Sequence, residues 1–74
     1  MLKGSREGLV KRIQPVSIHG QIQLDVQYVL PEDPDGQTYV ARLGPEAVDK
    51  DVEAGDRVLV EFLVGVATSV KRVR

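Results

Sequence analysis

The stretch Gly55-Asp56-Arg57-Val58-Leu59-Val60-Glu61-Phe62-Leu63-Val64 narrows the folds open to this chain more than any other. At period two, Val58, Val60, Phe62 and Val64 fall on one face of an extended segment. Leu59 and Leu63 fall on the other, beside Arg57 and Glu61. A strand apolar on one face and partly apolar on the other is central in a closed or well-covered sheet. The chain has 74 residues, and one so short buries only roughly 60% of its unfolded surface. The sheet is therefore expected to close around a thin core, as a small β-barrel.

The remaining strands are read outward from that one. Residues 1–7 are polar, with Gly4 and Ser5, and read as a flexible lead to a single domain over 8–74. From Gly8, Leu9, Lys11 and Ile13 alternate with Val10, Arg12 and Gln14. Pro15 cannot donate to a ladder, so pairing is expected to break or move to an edge there. His19-Gly20 signals a turn. From Gln21 to Leu30 the alternation is regular, with Ile22, Leu24, Val26, Tyr28 and Leu30 on one face and Gln21, Gln23, Asp25 and Gln27 on the other. The run Pro31-Glu32-Asp33-Pro34-Asp35-Gly36 stops it as a surface loop, with a positive-φ position expected at Asp35-Gly36.

Gln37 to Leu43 forms a third strand, with Tyr39, Ala41 and Leu43 in phase. Gly44-Pro45-Glu46 suits a helix start. Ala47, Val48 and Val52 supply a short apolar stripe among acids, which predicts a short helix or 3₁₀ turn closed by Gly55. Gly65 then marks a bend, bulge or tight hairpin before a fifth strand, Val66 to Val73, with Val66, Thr68 and Val70 on one face. Three strands, a short helical plug and two strands is the order of an OB-type barrel; an SH3-like barrel is the alternative.

Charge is uneven along this order. Net charge is −1 overall, composed of +2 over residues 1–30, −6 over 31–61 and +3 over 62–74. If the first and last strands are neighbours, the molecule has a basic and an acidic side. The chain has no cysteine, which removes disulfides and thiolate zinc sites and fits a cytoplasmic protein. No apolar run approaches a membrane span or a signal peptide, so no membrane partner is expected.

Nothing in the motifs points to an enzyme or a cofactor. His19 is the sole histidine. Ser5, Ser17 and Ser69 lack a nucleophile-elbow setting, and no phosphate-binding glycine loop exists. Asp49-Lys50-Asp51-Val52-Glu53 lacks the central glycine of a calcium loop. Binding of single-stranded DNA or RNA is the leading expectation, because an OB groove stacks bases on aromatic rings over a basic track. The candidate residues are Lys11, Arg12, Arg42, Lys71 and Arg72, with Tyr39 as the stacking ring. Tyr28, Tyr39 and Phe62 all fall in phase with core positions, and Tyr39, on a short strand whose phase is less fixed, is the one best placed to leave the core for a ligand.

Val40-Ala41-Arg42-Leu43-Gly44-Pro45-Glu46-Ala47-Val48, Glu53-Ala54-Gly55-Asp56-Arg57-Val58 and Val66-Ala67-Thr68-Ser69-Val70, with Gly8-Leu9-Val10 and Ile13, resemble the TOBE, or molybdate-binding Mop-like, small barrels. That resemblance implies an oxyanion-binding or regulatory domain. Val66 stands where the family has a lysine and Thr68 where it has a serine, which removes the cation that attracts the anion. Gly55 to Phe62 also resembles the strand opening of OB-like hub domains of phage tails. This second likeness implies a structural or oligomerisation role, with a protein partner or second copy covering Leu59 and Leu63.

Overall fold

The computed structural model describes residues 3–73. Met1 and Leu2 of the expected lead, and Arg74 of the C-terminal cations, lie outside the described residues. The elements are β1 (Lys3–Ile18), β2 (Gln21–Val29), β3 (Tyr39–Leu43), a 3₁₀ turn (Pro45–Ala47), β4 (Arg57–Leu63) and β5 (Val66–Arg72). All ladders in the sheet are antiparallel, in the order β3-β2-β1-β4-β5. The strip curls so that its two edges meet through the segment after the 3₁₀ turn. Val48 bridges Val70 in parallel, and the Asp49 N–H donates to the Val70 carbonyl at 3.1 Å. This is the expected small OB-type barrel, all-β, with a 3₁₀ turn, the one helical element among the described residues, between the third and fourth strands.

The inside of the barrel is aliphatic and thin. Val10, Val26, Val58, Val60 and Val70 are fully buried, with Tyr28, Ala41, Leu43, Val48 and Val52 packed among them. Burying each such side chain is worth about 1.5–3 kcal/mol, and valine suits a pleated surface because its branched Cβ is already restricted. Val48 and Val52 follow the turn and come from the expected stripe, so the plug contributes to the core although its helical part is a single turn.

Several expectations are corrected. β1 begins at Lys3, ahead of the expected Gly8, because its first half pairs with β4 from Lys3↔Leu63 to Leu9↔Arg57. Of the two outcomes expected at Pro15 it is the edge that holds: β1 does not break there and continues to Ile18 with Pro15 opposite Leu24. The proline is tolerated because the ladder with β4 stops at Leu9, so β1 is paired on one side only at that point. Gly36 does not take a positive φ; the loop instead turns through a Gly36 N–H to Asp33 carbonyl bond of 3.0 Å. Val64 is not a strand residue. With Gly65 it forms the tight turn between β4 and β5, at φ 52° and 77°.

Two bulges shift the phase that a strict alternation implies. In β1 the register slips between Val10 and Arg12, leaving Lys11 without an opposite number. Val10 and Ile13 therefore both face the core, three residues apart. In β5 Glu61 opposes Ser69 and Phe62 opposes Ala67, so Thr68 is the extra residue. Ala67 packs on the core together with Val70, and Val66 turns to solvent at 66% exposure. The expected Val66, Thr68 and Val70 face does not exist as one face.

Candidate functional site

The start of β1, the end of β2, the start of β3 and the β4–β5 turn all come together at one end of the barrel. The antiparallel ladders put them there: Gly4 lies opposite Phe62, and Tyr28 lies opposite both Val10 and Tyr39. Gly4, Arg6 and Gly8 alternate on the face of β1 that continues into the core at Val10. The two glycines in that row act differently: one admits a packed ring, and the other leaves the barrel mouth open. At Gly8 the space is already taken, since an added Cβ would lie 2.7 Å from the Tyr28 Cδ2. At Gly4 nothing lies within 4 Å.

The result is an open cleft of about 440 Å³ lined by Gly4, Ser5, Arg6, Tyr28, Tyr39, Val40, Phe62 and Gly65. The chain has two tyrosines, one phenylalanine and no tryptophan, so every aromatic ring it possesses borders this one cleft. Tyr28 is buried, while Tyr39 and Phe62 are half-buried. Tyr28 and Tyr39 stack at 5.6 Å between centroids and 23° between planes. The Arg6 guanidinium lies 5.5 Å from the centre of the Tyr39 ring, within the range of a cation–π attraction. Burial raises the Tyr28 phenol above its ordinary value, against a smaller opposite effect of Arg6. A second recess of about 300 Å³ shares Gly4 and Phe62 with the first and adds Lys3, Glu61, Leu63 and Thr68.

Of the residues singled out in the sequence, Tyr39 stands in the cleft. Arg12 lies opposite Gln27, which lies opposite Val40 on the cleft rim. Lys11 is the exposed bulge residue next to it. The other three cations are engaged by acids. Arg42 Nε and Nη2 donate to the two carboxylate oxygens of Asp25 at 2.7 and 2.9 Å, holding that carboxyl below its usual value. Lys71 Nζ is 3.3 Å from Glu61, whose carboxyl is lowered first by the Ser69 hydroxyl and then by Lys71. Arg72 reaches Asp51 at 2.9 Å and Asp56 at 3.6 Å. The first and last strands are not neighbours; β4 separates them. The condition set for a shared basic side, that these two strands be neighbours, is therefore not met.

The sequence reading missed Arg6 and Lys3. Both stood in the segment taken as a lead, where Gly4 and Ser5 hide any apolar period. Among the described residues Lys3, Arg6, Lys11, Arg12 and Lys50 form no ion pair, and four of these five are on β1. Also among the described residues, no group of three or more His, Asp or Glu could hold a metal, and no helix is long and apolar enough to cross a membrane. No protein-family model, curated protein or solved structure matches the chain.

Proposed function

We propose that the protein is a binding module for single-stranded nucleic acid. The observation that carries the reading is the meeting of all three aromatic rings of the chain with the unpaired Arg6 in one open cleft. A base stacks on such rings whatever its identity, at about 1–3 kcal/mol per base, and a cation beside them suits the adjoining phosphate. The row Val40–Gln27–Arg12 continues from the cleft rim across the outer faces of β3, β2 and β1. With strands about 4.8 Å apart, Arg12 stands roughly 10 Å from Val40, a span that a sugar–phosphate chain leaving the cleft can follow.

The test is a fluorescence-anisotropy titration of a labelled oligothymidylate. Tyr39→Ala is expected to weaken binding by about tenfold or more. Arg72→Ala, whose charge is already satisfied by Asp51 and Asp56, should leave it nearly unchanged. With Lys3, Arg6, Lys11 and Arg12 as phosphate contacts, log K should fall against log salt with a slope of about −3. Binding that ignores added salt, or that survives Tyr39→Ala intact, would remove this reading.

A second reading, an assembly role, is favoured by the apolar β4–β5 tip, where Leu63, Val64 and Val66 are 40%, 64% and 66% exposed. It calls for self-association, and light scattering that finds a monomer at high concentration counts against it. A TOBE-like oxyanion site has less support. Val66 brings no charge, and the Thr68 hydroxyl already donates to the Glu61 carbonyl at 3.2 Å. Calorimetry that records no heat with millimolar molybdate would dispose of it.

A further inference from the structure

The β1–β4 ladder covers Lys3 to Leu9, and the β1–β2 ladder begins only at Leu9. From Lys3 to Gly8, β1 is therefore paired on one side alone. In an antiparallel ladder alternate residues turn both N–H and C=O to one side and the residues between turn them to the other. Half of this segment therefore presents donors and acceptors to an unoccupied flank. Among the described residues no turn or loop bond covers them. The same flank borders the aromatic cleft, which Gly4, Ser5 and Arg6 line directly.

We infer that this free edge accepts an extended acidic peptide as an additional strand, with apolar side chains of the peptide seated in the cleft. This goes beyond the nucleic-acid reading, because a row of alternating donors and acceptors at strand spacing is matched by another extended polypeptide backbone and not by sugar and phosphate. The preference for acid follows from charge. Lys3, on the outer face of this edge, has no ion-pair partner, whereas Glu7 on the same face is held by Arg57 at 3.5 Å. The preference for alternate apolar residues follows from geometry. Side chains of an added strand point alternately to the two faces of the sheet, and on the inner face they meet Tyr39 and Phe62. The opposite seam is less suitable. There the β5 edge is already bonded by the Asp49 N–H at Val70 and by the Asp49 carboxylate at the Arg72 N–H.

The probe is an acetylated, amidated hexapeptide in which Asp alternates with Phe, added to the uniformly ¹⁵N-labelled protein. Amide exchange in Lys3–Gly8 is expected to slow by about tenfold or more at alternate residues. An analogue N-methylated on its ladder-facing amides should lose that protection, although its side chains are the same. A peptide with Lys in place of Asp should bind about tenfold more weakly, and Lys3→Glu should cancel or invert that preference. Protection confined to other strands, equal binding of the N-methylated peptide, or no binding of the acidic peptide overturns the inference. A bound oligonucleotide with a silent peptide would sink the strand-addition proposal alone, and the reverse result would sink the nucleic-acid proposal alone.

Discussion

At Val64 the backbone sits at φ 52° and the side chain is 64% exposed. A β-branched residue in the left-handed region is strained by roughly 1–2 kcal/mol, and here the exposed side chain returns little packing. The turn between β1 and β2 solves the same problem with His19 at φ 51° and Gly20 at 78°. Val64→Asn, which supplies the residue that tight hairpins favour, is expected to stabilise the fold by about 1 kcal/mol; urea unfolding checks this, and a loss of stability would contradict it. Gly8 presents the opposite case. Its Cβ would meet the Tyr28 ring at 2.7 Å, so Gly8→Ala should cost about 1–3 kcal/mol and shift the tyrosine that backs the cleft. A melting temperature equal to that of the parent protein would show that the ring moves freely.

Among the elements, β2 and the plug were legible because each carries a regular signal. The Gln21–Leu30 alternation has three amides and one acid on one side, and Gly44-Pro45 sits before a short apolar stripe. The first half of β1 was not legible, since its inner face is Gly4, Arg6 and Gly8, chosen for a cavity and not for a core. The bulges at Lys11 and Thr68 were hidden for another reason. An inserted residue reverses the phase of everything beyond it, and pairing across strands, not local pattern, decides where it goes. The β2–β3 pair Asp25–Arg42 has its own pH signature. Its hydrogen bonds from Arg42 depress the folded carboxyl below the ordinary value near about 3.9. The stability it brings is thus present above the unfolded pKa and is lost as pH falls through the folded one. Arg42 is half-exposed at 52%, so Asp25→Asn should cost only about 0.2–1 kcal/mol at neutral pH, with the difference from the parent closing under strong acid. A constant difference from neutral pH to strong acid would assign the cost to packing instead.

Over the whole molecule, closure depends on few atoms. The two edges of the strip meet at the Val48–Val70 bridge and the Asp49 bonds beside it, while the longest ladders lie on the far side of the barrel. Val48→Ala removes apolar volume from that seam and is expected to cost about 2 kcal/mol. Thermal unfolding monitored by circular dichroism should still show one transition, because the core behind the seam is shared by all five strands. Two separated transitions would mean that the plug and the sheet fold independently.

The crowding of every ring into one cleft also decides how the molecule can be observed. Lacking tryptophan, the chain excited beyond the phenylalanine band emits only through Tyr28 and Tyr39, which stack on each other and face the same recess. Whatever enters should quench or brighten the entire intrinsic signal, so occupancy can be followed optically on the unlabelled protein.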